Sequence, residues 1–438
     1  MGEILETTES LCPICLDKIK AFKIKEDNEV YMVKKCPEHG EFKTIIWRGL
    51  PKYERWKRPK TPAYPPKIYT EISKGCPYDC GLCEEHRQHT WTALIEITNR
   101  CNLGCKFCFA DAGGNNDPDL DTIKYYYKRI FDAAGPCNIQ LSGGEPTLRE
   151  DLPEIIRLGH EIGFKFIQIN TNGLKLTDLD FVKSLKDAGL NSVFLQFDGL
   201  DGDIYSNLRG KDILEDKLKT IENLKKVGIG TILVCIIVPN VNDSYLYDIV
   251  KFGSENIPTI RGVHFQPVSY FGRIPRTPTN EDRITLPEVM NKLSKQSNGI
   301  ISLRDFRPSG CENAYCSFHA NYILLDGKLV CLGTSGKKTN KEIEDGKEGS
   351  IKTKAFVERN WAIKQQRLNK DKYSSFTELL EKIETNRFSI SAMGFQDVWN
   401  LDMERLKDCC IHVISKEGDL IPFCAYNLTS QDGKNLYR

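Results

Sequence analysis

The chain of 438 residues lacks charge of one sign, long apolar runs and repeats. Lys and Arg number 61 against 60 Asp and Glu, a net charge of +1. A protein held to nucleic acid mainly through phosphate contacts needs a basic excess, so no nucleic-acid partner is expected. No apolar run reaches the length of a membrane span, and residues 1–10 are acidic without the apolar stretch of a secretory signal. There is no long repeat and no low-complexity tract. These absences predict a cytoplasmic protein of two to four globular domains. Against them stand 17 cysteines. Structural disulfides are rare in a reducing compartment, and an odd number cannot pair completely, so metal or redox chemistry is the expectation.

Spacing divides the cysteines. Fifteen form five triplets: Cys12, Cys15 and Cys36; Cys76, Cys80 and Cys83; Cys101, Cys105 and Cys108; Cys311, Cys316 and Cys331; Cys409, Cys410 and Cys424. Cys137 and Cys235 stand alone in apolar runs and read as core.

Residues 8–47 read as a small β-rich knuckle, and the basic, proline-rich stretch 48–68 as a linker or wrapping arm. From residue 91 strands alternate with helices. Strands are expected at 92–98, 138–142, 165–171, 192–198, 231–239 and 262–268, and helices at 122–134, 152–163, 179–189, 213–228 and 245–256. Connections of this length suit right-handed crossovers and a parallel α/β sheet, curled or open. Further on, Asn321–Gly333 reads as a hairpin around Asp326-Gly327, residues 336–349 as a polar loop and 374–384 as a helix.

The third triplet follows the first of these strands, in EITNRCNLGCKFCFA. CxxxCxxC on a tight loop places three thiolates around one corner of an iron–sulfur cluster and leaves the fourth iron free. The end of a parallel strand is where βα barrels build active sites. This motif, with Phe107 before its last cysteine, resembles the radical S-adenosylmethionine (SAM) superfamily. Supporting motifs close later strands: Gly143, Gly144, Glu145 and Pro146 match the family's GGEP; Asn170 and Asn172 end the third strand; Gln196 and Asp198 end the fourth. The resemblance covers about residues 91–270. It implies a partial (β/α)6 barrel in which Cys101, Cys105 and Cys108 hold a catalytic 4Fe–4S cluster and the strand-end residues bind SAM. It also implies cleavage of SAM to a 5′-deoxyadenosyl radical that abstracts hydrogen from an unactivated carbon. An external donor such as a ferredoxin or flavodoxin would supply the electron. The competing class, a non-catalytic iron–sulfur carrier, has no need of a cofactor cradle.

The remaining triplets are less determined. Cys76, Cys80 and Cys83 repeat CxxxCxxC without a following GGEP, and read as an auxiliary cluster or a zinc knuckle. His86 and His89 are nearby candidates for a fourth ligand; in relatives a cysteine often stands at the position of Trp91. Cys12, Cys15, Cys36 and His39 suit a zinc ribbon or rubredoxin-like site for one Zn or mononuclear Fe. The six C-terminal cysteines allow one further 4Fe–4S cluster or two sites, with Cys410 also readable as core. Four regions are expected: a metal-binding knuckle at 1–60, an auxiliary loop at 61–90, the barrel at 91–285 and a cysteine-rich extension at 286–438.

The whole layout resembles an archaeal subgroup that includes tetraether lipid synthases and 7,8-dihydro-6-hydroxymethylpterin methyltransferases. The first implies joining of isoprenoid lipid tails at unactivated carbons, the second methylation of a pterin ring. The lipid reading is the preferred expectation. The basic residues Arg48, Lys52, Arg55, Lys57, Arg58 and Lys60, interleaved with Trp47, Tyr53 and Trp56, read first as a solvated linker; the alternative is peripheral contact with anionic lipid head groups.

Overall fold

The computed structural model describes residues 2–333, 343–363 and 383–438. The expected helix at 374–384 falls almost wholly outside these residues, as does the first half of the loop at 336–349.

The N-terminal strands β1 (Glu3–Leu11), β2 (Lys18–Glu26), β3 (Glu29–Cys36) and β4 (Gly40–Arg48) pair antiparallel in sequence order. Period-two alternation turns Val30, Met32, Lys34 and Cys36 of β3 inward. Lys34 is the odd member: its Nζ donates to Ser10 Oγ at 3.0 Å and to the Val398 carbonyl at 2.6 Å, tying the ribbon to the C-terminal segment. Burial lowers this lysine to about 7.

The six expected strands are present: β5 (Thr92–Thr98), β6 (Asn138–Gly143), β7 (Ile167–Thr171), β8 (Ser192–Gln196), β9 (Gly230–Ile237) and β10 (Ile260–Pro267). They are parallel and lie side by side in chain order. The connecting helices are α1 (Leu120–Ala134), α2 (Leu152–Ile162), α3 (Leu179–Asp187), α4 (Gly202–Arg209), α5 (Leu214–Val227) and α6 (Leu246–Glu255). Helix α4 is an addition to the expected pattern, capped by Asp201 at its start and by left-handed Gly210 at its end.

Alternation along the strands builds two unlike faces. Ile139 and Leu141 of β6, Ile167 and Ile169 of β7, Val193 and Leu195 of β8, and Val263 and Phe265 of β10 join the core against the helices. Their neighbours Asn138, Gln140, Gln168, Asn170, Gln196, His264 and Gln266 face the barrel interior. A purely structural barrel fills its centre with branched apolar side chains. An inner face rich in amides marks this one as a place where something polar binds.

Six strands do not close a barrel, and the segment 286–438, expected as a region of its own, supplies strands to both open edges. Residues Arg387–Met393 (β12) pair parallel to β10, and β11 (Ser317–Leu325) pairs antiparallel to β12. On the other side Ile411–Ile414 (β13) pairs parallel to β5 and forms a hairpin with β14 (Leu420–Pro422). The Asp326-Gly327 hairpin occurs as expected, with β11 paired to Lys328–Cys331 and both turn residues at positive φ. A helix, Gly346–Asn360, reaches the end of the barrel at which the strands begin: the Asn360 carbonyl accepts from Arg261 Nε at 2.7 Å.

The arm at 48–60 departs from the expectation of a lipid-facing patch. Trp47, Tyr53 and Trp56 are buried and pack with Tyr315, whose ring stacks on Tyr53 at 4.1 Å. Arg48 pairs with Glu29 and Glu288, Lys57 with Glu6, and Arg58 donates to the Pro308 carbonyl. Aromatics fit an aqueous surface poorly, and here their burial glues the ribbon to the C-terminal segment. No helix among the described residues is long and apolar enough to cross a membrane.

The edge pairing is testable at Gly262, where an added Cβ would lie 2.4 Å from the Ser389 carbonyl oxygen and 2.3 Å from its hydroxyl. Gly262→Ala should force β10 and β12 apart, cost about 1–3 kcal/mol and lower the melting temperature. An unchanged melting temperature contradicts this pairing.

Candidate active site

The loop after β5 carries Cys101, Cys105 and Cys108, all half-buried and all lining one cavity. Backbone contacts hold it on several sides. Lys106 N donates to the Leu208 carbonyl at the end of α4, and Cys108 and Arg273 exchange both backbone hydrogen bonds at 3.1 and 2.9 Å. The approach at 272–273 needs glycine: a Cβ on Gly272, at φ +62°, would lie 2.3 Å from the Cys108 carbonyl oxygen. Burial, the Glu145 carboxylate and the other two thiols push Cys101 up to about 11. A thiol raised in this way binds as thiolate only around a bound cation, which is what an iron–sulfur cluster supplies.

The cavity, about 290 Å³, runs from these cysteines into the barrel interior. Gly143 and Gly144 form its rim at the end of β6. A Cβ on either would lie 2.2 Å from a carbonyl oxygen, of Thr98 and Arg100 respectively, so only glycine lets the strand end pass this close to the cluster loop. Pro146 is buried in the turn behind them.

Glu145, expected to bind the cofactor, lines the cavity and is hydrogen-bonded within the protein. Its Oε1 accepts from Thr147 N, Thr147 Oγ1 and Thr171 Oγ1, at 3.1, 2.6 and 2.6 Å, and its Oε2 accepts from Asn172 N at 2.7 Å. The carboxylate therefore fastens the ends of β6 and β7 together. Asn172 donates to Asn102 Oδ1 at 2.7 Å and so links β7 to the cluster loop. Asn170 donates to Gln140 Oε1 at 3.4 Å, and Gln140 to Gln168 Oε1 at 3.1 Å, a belt of amides across the interior. Phe107 also lines the cavity, edge-on to Tyr270 at 5.9 Å.

Gln196 faces the cavity, but Asp198 does not line it. Asp198 is fully buried and receives Arg209 Nε at 2.7 Å and Nη2 at 2.8 Å. Arg209 is the group that reaches the cavity, and it also approaches Cys105. Burial opposes its charge, and the paired Asp198 more than restores it. The sequence signal for Arg209 was its place at the end of a short capped helix. Lys217 of α5 donates to Gln196 Oε1 at 2.8 Å beneath the site; burial brings it down to about 7.

The other cysteines fall into separate groups. The metal-ligating atoms of Cys12, Cys15, Cys36 and His39 all lie within 4.8 Å of one another. Cys15 Sγ and Cys36 Sγ are 3.9 Å apart, and His39 Nδ1 is 3.6 Å from Cys12 Sγ and 3.4 Å from Cys36 Sγ. Two thiolates on one tetrahedral zinc sit about 3.8 Å apart, so these residues fit a single ion. Cys76 Sγ and Cys80 Sγ are 3.8 Å apart, with Cys83 in reach of Cys76. Tyr437 secures that loop, accepting from Cys80 N and donating to the Pro77 carbonyl, both at 2.6 Å. His86 points elsewhere: its Nε2 lies 2.8 Å from the Cys409 carbonyl and 3.2 Å from His412 Nε2. Trp91 lines the barrel cavity.

The six C-terminal cysteines split three ways. Cys316, Cys409 and Cys424 lie near one another, and Arg405 Nη2 is 3.4 Å from Cys316 Sγ. Cys311 and Cys410 gather with Glu312. Cys331 lies apart, beside Asp305. Cys137 and Cys235 are buried core residues, as expected.

Comparison with known proteins agrees with this geometry. The radical SAM superfamily profile matches residues 95–253, and the HMPTM N-terminal zinc ribbon domain matches residues 4–48. Cluster loop, glycine rim and barrel are thus those of a radical SAM enzyme, working with a 4Fe–4S cluster and S-adenosyl-L-methionine. The 7,8-dihydro-6-hydroxymethylpterin dimethyltransferase of Methanocaldococcus jannaschii is 35% identical over 474 residues, covering 96% of this chain and 93% of that one. A probable GTP 3′,8-cyclase of Sulfolobus acidocaldarius is 34% identical over 45% of this chain and 66% of its own. Streptococcus suis SuiB, solved with its precursor peptide SuiA, aligns over 50% of this chain and 47% of its own at 19% identity and a TM-score of 0.41. The chain belongs to the radical SAM superfamily, in the family represented by the Methanocaldococcus protein.

The N-terminal site gives a direct check. Cys36→Ser should remove one Zn or Fe per chain, measured by elemental analysis, while the remaining iron stays bound. Unchanged total metal would show that these four residues hold no ion.

Proposed function

We propose that the protein is a radical SAM methyltransferase acting on a pterin of the 7,8-dihydro-6-hydroxymethylpterin type. One observation carries this reading: the likeness to the pterin enzyme extends through ribbon, barrel and C-terminal segment alike. The lipid reading preferred from sequence has no such support. None of the comparisons described points to isoprenoid lipids, and the aromatic rings Trp47, Tyr53 and Trp56, interleaved with the basic residues, are buried within the protein.

In this proposal Cys101, Cys105 and Cys108 hold the catalytic cluster. When bound there, the cluster and SAM together supply a radical able to abstract hydrogen from an unactivated carbon. The protein's own part is placement. Gly143 and Gly144 let backbone groups approach the methionine end of the cofactor, and Glu145 keeps β6 and β7 in register beneath it. Gln196 offers an amide to the cofactor. Arg209, kept charged by Asp198, attracts its carboxylate. The barrel wall shields one side of the reacting centre from water. Cys76, Cys80 and Cys83 hold an auxiliary cluster, Cys316, Cys409 and Cys424 a second, and the N-terminal group one Zn or Fe. A small iron–sulfur or flavin protein supplies electrons.

Reconstituted enzyme, given SAM and a strong reductant, should form 5′-deoxyadenosine faster when 7,8-dihydro-6-hydroxymethylpterin is added and no faster with an isoprenoid ether lipid. The opposite preference would overturn the proposal. Cys105→Ala should abolish 5′-deoxyadenosine formation. Cys76→Ala should retain it and lose methylated product; normal turnover in that variant would remove the auxiliary cluster from the reaction.

A further inference from the structure

Helix α5 packs a polar stripe against the loop that follows β7. Lys217, Thr220 and Asn223, spaced three apart on one face, are all buried. Thr220 Oγ1 donates to the Gly173 carbonyl at 2.7 Å, and Asn223 Nδ2 donates to the Leu176 and Thr177 carbonyls at 3.0 and 2.8 Å. Lys217 Nζ donates to the Asn172 carbonyl. At two of the three positions a hydroxyl and an amide thus suffice to seat the loop. The third position holds an ammonium, fully buried and in no ion pair among the described residues. Taking an ammonium out of water is far costlier than burying a hydroxyl. A tether alone does not require it.

Lys217 differs from its two neighbours in where it reaches next. Its Nζ also donates to Gln196 Oε1 at 2.8 Å. The other end of that amide, Nε2, donates to Asp198 Oδ2. An ammonium can only donate and a carboxylate can only accept, so the amide has one orientation. Other interior amides are held differently. Gln140, Gln168 and Asn170 bond to one another, with Gln168 also on Ser192 Oγ, and neutral partners of this kind can exchange donor and acceptor roles by flipping. Gln196 is half-buried and lines the cavity. With both ends fixed, it keeps one N–H and one oxygen lone pair for a ligand, always in the same places. Asp198 is also the partner of Arg209, so four side chains form one row: Lys217, Gln196, Asp198 and Arg209. Gln196 and Arg209 line the cavity, and the other two stand behind them.

We infer that Lys217 is a positioning residue for S-adenosyl-L-methionine: it fixes the amide of Gln196 in the orientation that the cofactor meets. This rests on the placement of SAM given under Proposed function, and not on the choice of a pterin. Lys217 does not line the cavity, so it acts through Gln196. Its charge suits the same task. With Lys217 protonated, the row holds two cations against the single carboxylate of Asp198. Glu145, the other carboxylate nearby, is already filled by four protein donors. The carboxylate end of SAM relieves that imbalance when it binds beside Gln196 and Arg209. Loop seating and cofactor placement are thereby joined: the same ammonium that holds the end of β7 through the Asn172 carbonyl holds the end of β8 through Gln196.

Calorimetric titration of SAM into the reconstituted, anaerobic enzyme tests this. Lys217→Met, close in length but without charge or donors, should weaken SAM about 10- to 100-fold, the worth of a hydrogen bond to a charged group. Lys217→Gln, which keeps a neutral donor, serves where the methionine variant does not fold, with a loss of the same order expected. Thr220→Val removes a neighbouring tether of the same loop without touching Gln196, and should leave SAM affinity as in wild type. Gln196→Leu should weaken SAM by itself, and adding Lys217→Met to it should cost little more, because the two act as one. Cluster absorbance and melting temperature report whether each variant is folded. If Gln196→Leu binds SAM as wild type does, the placement of the cofactor fails and the inference with it. If Gln196→Leu loses affinity and the folded Lys217 variant does not, the placement stands and Lys217 is a tether only. Equal weakening by Thr220→Val, or fully additive losses in the double variant, would also show that Lys217 does not act through Gln196.

Discussion

Six parallel strands cannot close on themselves, and the rest of the structure follows from how this chain seals the two edges they leave. Unpaired strand edges are costly and invite wrong partners. Here the edge of β10 is taken by Arg387–Met393 and the edge of β5 by Ile411–Ile414, both from the C-terminal segment. These additions bring Met393 and Ile411 to the cavity wall, while Trp361 enters through a separate helix end. One topological need thereby extends the wall around the interior.

Enclosure changes the worth of every polar group inside. The interior amides would contribute little on a wet surface; walled in, each must be paired, by its neighbours or by a ligand. The structure shows the first of these. Toward the cluster, Glu145 accepts from four protein donors and Asp198 is filled by Arg209, so these carboxylates act as fixed struts. Saturated groups hold the cofactor end in shape.

Much of this was legible in the sequence. The six barrel strands stood out because each is a short apolar run followed by a helical period, and local spacing is enough to read that. The cluster loop and the glycine rim were legible because their residue types admit few other uses. The edge strands were not, since Ile411–Ile414 is four residues long and its partner Thr92–Leu94 lies more than three hundred positions earlier. The grouping of the C-terminal cysteines was hidden for the same reason: Cys410 is adjacent to Cys409 in the chain, yet it gathers with Cys311 and Glu312 while Cys409 faces Cys316 and Cys424. Asp198 shows a different limit. A polar residue at a strand end was expected to bind the cofactor, but only the fold reveals that Arg209 stands between it and the cavity. The amide alternation Asn138-x-Gln140-x-Ser142 was in plain view, an inward polar face that spacing alone could have flagged.

The central claim is that the barrel interior, lined by amides, receives a pterin. Amide hydrogen exchange on the anaerobic, SAM-loaded holoenzyme addresses it without relying on turnover. Adding 7,8-dihydro-6-hydroxymethylpterin should slow exchange in β6 and around Trp361 while leaving the ribbon β1–β4 unchanged. Protection confined to the ribbon and the arm at 48–60, with none in β6, would contradict the account.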